Sequence, residues 1–474
     1  MSMTSDSINA ATTRLRVESD SIGQVQIPVN ALYGVNTVRA LDNFPFTARV
    51  LGQEAELVRA FGVIKQACAM ANRSLGALPD KHTDLLLPAC EDLRSGQLNE
   101  HLKVSMMEGS GGTSLNMNVN EVIANRGLQL FGYEPGRYER LNPNDHVNRS
   151  QSTNDVVPAA VQLACHELAG AAAEALEHLA CTAKTKAEAF AGYLKLGRTC
   201  LQDAQPMTLG QTFGAYAAFA ERSARRLRTA RQIMLTLPLG ATAIGTGFGA
   251  PAGFVDAVYP VLAELSDLDV QPPEDFFDAM SNTDGFVSLS GELTAIATGL
   301  GKIANDLVLL SSGPKGGLGE LRLPEVQAGS SIMPGKVNPV IPMAVRQIAH
   351  SVQGHGVSVA AAGADGLLEI NHFEPGMACA LFSSLRLVRE ASQQLADACL
   401  KDVEPRPEAM SAALFSSSAM ATGLSADLGH ARVSGLARQA DAEGRTFMEL
   451  AVEQGLITRA DAECLIRNSL GTGK

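Results

Sequence analysis

Apolar residues recur at helical spacing through most of this chain. Between Gly291 and Ser312, the positions Leu293, Ile296, Leu300, Ile303, Leu307 and Leu310 follow one another at intervals of three and four residues, which predicts one buried stripe along a long helix. Ser312-Gly313-Pro314 ends it, since glycine releases the helix and proline cannot continue it. The alanine-rich run Val161–Phe190 and the run Ser383–Leu400 have the same character. Several long helices of this kind predict a central bundle, and the width of their apolar faces predicts association with further subunits. A monomeric bundle that covers its own faces is the alternative.

The N-terminal portion is mixed. Arg16–Pro28 carries β-branched residues and ends in a turn at Pro28, whereas Glu54–Ala71 and Ser114–Leu130 carry helical patterns. Gly/Pro clusters near residues 197–210, 236–253, 270–274 and 313–339 interrupt the helices. The pattern predicts a mostly α protein with an N-terminal mixed cap domain (1–150), a central long-helix bundle (151–405) and a small C-terminal helical domain (406–474), the last boundary marked by the proline-rich Val403–Glu408. Ile233–Val255 carries no charge over 23 residues, but its glycines and its prolines Pro238 and Pro251 argue against a membrane-spanning helix. Within it, Leu239–Gly247 reads as a buried, glycine-bent connection close to a site.

Composition narrows the function. The 474 residues exceed the size of a single growing core, so two or three domains are expected. Tryptophan is absent and aromatics are only 5%, which favours close helix packing over an aromatic-rich sandwich. The net charge of −12, with no cluster of Lys and Arg, argues against nucleic-acid binding. An acidic protein that binds a small dianion must concentrate cations locally, which draws attention to Lys336, Arg39 and Arg198. Eight scattered cysteines without CxxC spacing read as reduced, mostly core residues, with neither a disulfide framework nor a metal site. The first fourteen residues lack the basic start and apolar run of a signal peptide, so a cytoplasmic location is expected.

The densest chemistry lies in Gly329–Pro339, GSSIMPGKVNP. Its Gly-Ser-Ser turn offers backbone N–H donors, Lys336 a positive charge and Asn338 an amide, a set suited to closing over a small anion. Ser330 becomes a usable base only if its alkoxide is stabilised, and such donors beside an ammonium provide that. A surface loop with one solvated lysine is the other reading. A Walker A loop is not, because Val337 follows Gly335-Lys336 where Ser or Thr is required. Three further segments combine glycines, hydroxyls and amides: Gly109–Glu121, Leu141–Asp155 and Gly197–Gln211. Ser152, Thr153 or Asn154 is also a natural helix cap, and capping is compatible with anion binding at the same helix start.

The pattern G-S-S-x-M-P-x-K-x-N, followed in order through the other three segments and from Ala31–Phe44 to the C-terminal tail, resembles the fumarase/aspartase superfamily. The resemblance implies a mostly α, three-domain fold and a homotetramer whose core is built from the long central helices. It further implies active sites shared by three subunits, a small amino-acid or dicarboxylate substrate, and no cofactor or metal. By resemblance, Ser330 is the general base that removes a Cβ proton. Lys336 and Asn338 bind the adjacent carboxylate and stabilise the carbanion; Thr113, Ser152, Thr153 and Asn154 hold the other end of the substrate and the leaving group. Thr199 contributes from the third segment, and Ser331 adds a donor.

Thr113-Ser114, Leu141–His146 and Ser152-Thr153-Asn154 are more similar to aspartate ammonia-lyases than to fumarases. Cys200 stands where fumarases carry a histidine that handles the leaving hydroxide, and Met343 where its partner glutamate stands, which disfavours hydration. Met343 departs from the aspartase pattern as well. The expected reaction is anti elimination of ammonia from L-aspartate to give fumarate. The alternative is a related lyase releasing a bulkier or alkylated amine, for example trimethylamine from ergothioneine, with fumarate hydratase and a non-enzymatic helical scaffold behind it. Cys200 is expected to be a buried, inert thiol; a thiol activated by Arg198 is the other reading. His146 is expected to orient a turn, and His372 is unassigned.

Overall fold

The computed structural model describes residues 14–329 and 332–470; Ser330 and Ser331 lie outside the described residues. The described residues begin with a hairpin, β1 (Leu15–Ser19) and β2 (Gln24–Pro28), paired antiparallel from Leu15↔Pro28 to Ser19↔Gln24. Helices α1 (Val35–Asn43), α2 (Ala55–Ser74), α3 (Asp80–Arg94) and α4 (Thr113–Leu130) follow, and then the long α5 (Thr153–Ala189). A second hairpin, β3 (Leu194–Thr199) and β4 (Gln202–Thr208), leads into α6 (Leu209–Ala230). Next come α7 (Phe254–Ser266), α8 (Phe276–Ser281) and α9 (Asp284–Leu310). The short β5 (Leu321–Arg322), α10 (Val340–Ala364), α11 (Glu374–Leu395) and β6 (Glu404–Pro405) precede five short helices, α12 (Pro407–Ser416), α13 (Ala419–Leu428), α14 (His430–Glu443), α15 (Phe447–Glu453) and α16 (Arg459–Leu470).

The predicted stripe is the buried face of α9. Leu293, Ile296, Leu300, Ile303, Leu307 and Leu310 are all at most 7% exposed, so the three-and-four spacing translates directly into core. Small side chains do the same for α5, where Ala159, Ala160, Ala169, Ala172, Ala173 and Ala183 are buried without the entropy cost of long rotamers.

The chain forms two compact units. One comprises the chain up to Gly170 with Leu227–Leu293 and Gly354–Leu385; the other comprises Ala171–Arg226, Thr294–Gln353 and the chain from Arg386 onward. In the first unit, Glu121 of α4 accepts hydrogen bonds from the backbone N–H groups of Gly34 (2.7 Å), Asn36 (2.8 Å) and Thr37 (3.2 Å), fastening the start of α1 to α4. In the second, Leu194 and Leu196 of β3 join Leu414, Met420, Leu424, Phe447 and Ile466 in one apolar cluster, which gives the C-terminal helices a core.

Two expectations are corrected here. The uncharged stretch around residues 233–255 contains no continuous helix, as expected, but only Leu239–Thr242 of the connection is buried, while Ala243, Ile244 and Thr246 are exposed. Of the eight free cysteines, Cys68, Cys90, Cys165 and Cys399 are core residues; Cys181, Cys200 and Cys464 are exposed. Two helices, α5 and α9, are long and apolar enough to cross a membrane, yet their apolar positions include core residues of this fold.

Candidate active site

The site residues of the first unit gather at two helix starts. Gly112 precedes α4 in the left-handed region (φ 91°), where a Cβ would also press to 3.0 Å from Val157 of α5, so glycine lets the two helix starts approach. Thr113 is the first residue of α4 and is exposed. The turn before it takes a carboxylate from the chain itself: Glu108 accepts from the backbone N–H groups of Ser110 (2.6 Å) and Gly112 and from the Ser110 hydroxyl. Glycine-rich backbone at a helix start attracts an anion, and here an internal one satisfies it.

At the start of α5, Ser152 and Asp155 form a reciprocal cap. The Ser152 hydroxyl accepts from the Asn154 N–H (3.2 Å), and Asp155 Oδ1 accepts from the Ser152 N–H (2.9 Å). Asp155 Oδ2 accepts from the N–H groups of Gly240 (3.1 Å) and Thr242 (3.0 Å), so one buried carboxylate binds the helix start to the bent connection. Asn154 seals the joint, its Nδ2 donating to the Ala243 carbonyl at 2.8 Å. Burial pushes the Asp155 carboxyl up to about 6, against the three N–H donors that favour its charge.

Beneath this lies Lys65 of α2, 1% exposed. Its ammonium donates to Asn116 Oδ1 (2.8 Å), Asn148 Oδ1 (3.1 Å) and Gln151 Oε1 (2.9 Å), and Asn116 Nδ2 in turn donates to the Thr153 hydroxyl oxygen at 3.2 Å. Burial lowers the Lys65 ammonium to about 8. Each of the three site residues thus commits part of its hydrogen-bonding capacity to the fold and keeps part of it among the described residues. Ser152 and Thr153 keep their hydroxyl hydrogens, and Asn154 keeps Oδ1. Two O–H donors at a helix N-terminus fit a carboxylate, and an amide oxygen fits an ammonium.

Residues read from the sequence in the second unit occupy two other places. Thr199 and Cys200 form the tip of the second hairpin, where Cys200 (φ 52°) and Leu201 (φ 62°) both adopt left-handed conformations in a two-residue turn between Thr199 and Gln202. Cys200 is therefore exposed, which corrects the expectation of a buried thiol: a two-residue turn cannot bury its tip. Arg198 does not serve it. Its guanidinium lies 2.6 Å from Glu320, which is 0% exposed and is also paired with Lys195 at 3.2 Å. Arg39 is likewise paired with Asp20 at 3.2 Å. Of the three cations singled out, Lys336 alone carries no ion pair among the described residues, and it is exposed.

The loop bearing Lys336 is closed at its base. Asn338 Nδ2 donates to the Gly329 carbonyl at 2.7 Å, and Gly329 packs so closely on the Lys336 carbonyl that no side chain fits there. One Asn338 N–H remains for a ligand. Met343, in the first turn of α10, is 46% exposed. Among the described residues, no hydrogen bond joins this loop to the hairpin tip.

His146 orients its turn as expected, Nδ1 accepting from the Asn142 N–H (2.9 Å) while its ring stacks on His82 at 3.7 Å. His372 is exposed and covers Gly111 ahead of α4, beside Asn371, whose Oδ1 accepts from the Phe373 N–H at 3.0 Å. Sequence reasoning missed Lys65, Asn116, Asn148 and Asp155 as supports. The available signals were a single lysine inside the apolar run FGVIKQACAMA and the asparagines of NMNVN on an otherwise apolar helix.

Comparison with known proteins gives the family. The chain belongs to the lyase family whose model, described as Lyase, matches residues 23–354. It is 38% identical to the aspartate ammonia-lyase of Escherichia coli K12 over 450 residues, 95% of this chain and 94% of that one. It is 41% identical to the aspartate ammonia-lyase of Pseudomonas aeruginosa PAO1, with 94% of each chain covered. Among solved structures, a Brucella melitensis fumarate lyase:delta crystallin bound to cobalt superimposes with a TM-score of 0.93 at 42% identity, covering 97% of this chain and 99% of that one. A class II fumarase from Schistosoma mansoni superimposes with a TM-score of 0.89 at 30% identity, covering 97% of this chain and 100% of that one. The mostly α, fumarase/aspartase-like fold is thereby established.

Proposed function

We propose that this protein is a carbon–nitrogen lyase of the aspartate ammonia-lyase type, which removes ammonia from L-aspartate to leave fumarate. The observation that carries the reading is the start of α5, where Ser152 and Thr153 hold out two hydroxyl hydrogens beside the Asn154 amide oxygen. Similarity to aspartate ammonia-lyases over nearly the whole chain supports it. In this reading Thr113, Ser152 and Thr153 hold one carboxylate, and Asn154 Oδ1 accepts from the substrate ammonium. Lys336 and Asn338 bind the other carboxylate, next to the carbon that loses its proton, with Thr199 and Ser331 as further donors. Ser330 takes the Cβ proton; charge moves onto the carboxylate held by Lys336 and Asn338; the Cα–N bond then breaks and ammonia leaves. Stabilising that developing charge is what lowers the barrier.

The homotetramer, active sites shared by three subunits, and the division at about residues 150 and 405 belong to the same proposal. Apolar side chains left exposed at Val357 (72%), Leu367 (68%) and Leu368 (87%) support subunit association. Free cysteines throughout accord with a reducing, cytoplasmic compartment. Exposed Cys200 and Met343 favour one second reading, a bulkier amine, because both present apolar, polarisable surface in place of an acid/base pair.

The test is direct. Purified protein is incubated separately with aspartate, malate, argininosuccinate and ergothioneine, following alkene absorbance and amine release. Aspartate turnover with stoichiometric ammonia is expected; turnover of malate alone overturns the proposal, and turnover of ergothioneine alone selects the second reading.

A further inference from the structure

A cavity of about 40 Å³ in the first unit lies away from the hydroxyls described above. Its walls include Pro158 and Gln162 of α5, Asn282 and Thr283 between α8 and α9, Phe286 of α9, and Glu374 at the first position of α11. A single carboxyl dominates the polar lining. Gln162 donates one Nε2 hydrogen to the Thr236 carbonyl (3.0 Å), while its Oε1 is buried with no partner among the described residues. Exposed Asn282 donates one Nδ2 hydrogen to Asp278 (2.6 Å), and its side-chain carbonyl is uncommitted among the described residues. The Thr283 hydroxyl oxygen already accepts from Asn371 at 3.3 Å.

Glu374 is 8% exposed, and its carboxyl has no hydrogen-bond or ionic partner among the described residues. Burial alone pushes its pKa up to about 8. A carboxyl in this position resists ionisation until a positive charge joins it, and its place in the first turn of α11 favours the ionised form once one does.

Charge selects the ligand. An anion would be repelled by the ionised Glu374 carboxylate, and an apolar molecule would leave that carboxyl and the Gln162 oxygen without partners. Calcium takes six to eight oxygens, more than this lining offers, and magnesium keeps several of its waters, for which a cavity of about 40 Å³ has little room. We propose that the cavity binds a monovalent cation of the size of ammonium or potassium, with the Glu374 carboxylate, the Gln162 amide oxygen and the Asn282 side-chain carbonyl as ligands. The ion would link α5, α11 and the α8–α9 junction about two turns beyond the Ser152–Asn154 cap. It stiffens the helix on which those residues stand.

Thallium(I) substitutes for either ion and is observed directly by thallium-205 NMR on the intact protein at fixed ionic strength. A bound signal is expected that ammonium and potassium displace and tetramethylammonium does not; the ion effective at the lower concentration identifies the natural occupant. Glu374→Gln is expected to weaken thallium binding at least about tenfold, and Gln162→Met, which keeps the carboxylate, to weaken it as well, with circular dichroism establishing that each variant is folded. The proposal is overturned if the wild-type protein retains no thallium at millimolar concentration, or if either folded variant binds it as tightly as wild type.

Discussion

Replacing Asp155 by asparagine separates the stability of the fold from the alignment of the site. The carboxylate accepts three backbone hydrogen bonds, one on Oδ1 from Ser152 and two on Oδ2 from Gly240 and Thr242. An amide has one acceptor oxygen, so whichever way it turns, its NH2 faces a buried N–H. Losing one charge-assisted bond and stranding its donor costs about 3 kcal/mol. An opposite term exists. The unfolded chain releases this proton near the ordinary 3.8, and the folded chain only near 6. The folded state therefore binds more protons between those values, and the wild type loses stability as pH rises through the interval. That cost is about 3 kcal/mol once the group is fully ionised. Asparagine escapes it, so above pH 6 the two terms nearly cancel and the melting temperature of Asp155→Asn should stay within a few degrees of wild type. Activity has no such compensation. With Ser152 and the 240–242 connection no longer held by one group, kcat/KM for aspartate should fall on the order of 100-fold. Wild-type activity should also decline as pH drops through about 6, because a protonated Asp155 faces the same mismatch. That decline should be absent from the variant. Fumarate formation measured across pH decides the matter, and a variant retaining near-wild-type kcat/KM, or the same acid limb, refutes the argument.

Lys65 should produce an alkaline limb: above about pH 8 its amine has two hydrogens for three oxygens, the support of Thr153 loosens, and kcat/KM declines. A profile flat through that region contradicts the role. Ser330→Ala should leave circular dichroism unchanged and lower kcat by several orders of magnitude, about 10³-fold or more; near-wild-type turnover excludes Ser330 as the base. Arg198→Met leaves buried Glu320 with Lys195 alone and should lower the unfolding free energy by about 3 kcal/mol, the low end for breaking a buried pair. An unchanged urea midpoint would count against it. Mixing subunits of Ser330→Ala with subunits of Thr153→Ala, each nearly inactive, should restore part of the activity if active sites are shared between chains, and no recovery after demonstrated subunit exchange excludes sharing.

Periodicity was enough to predict the helices. The stripe from Leu293 to Leu310 was legible because burying one helix face requires apolar residues every three or four positions, and that requirement is written locally. Cap chemistry was equally local, so Ser152 and its neighbours could be read as a helix start before any contact was known. Asp155 and Lys65 were not legible as supports. A buried carboxylate and a buried ammonium look like ordinary surface charges until the segments that satisfy them, near residues 240 and 116 to 151, are brought alongside by packing. The misreading of Cys200 has the same origin: it was grouped with the core cysteines, but the hairpin register placed it at the tip of a two-residue turn. Arg198 was read as available and is consumed by Glu320, a residue 122 positions away. The chain's own pattern thus determined which segments are helices and which side chains are chemically capable. Folding alone decided which of those side chains are used up in holding the structure, since pairing between distant residues depends on where tertiary packing sets them.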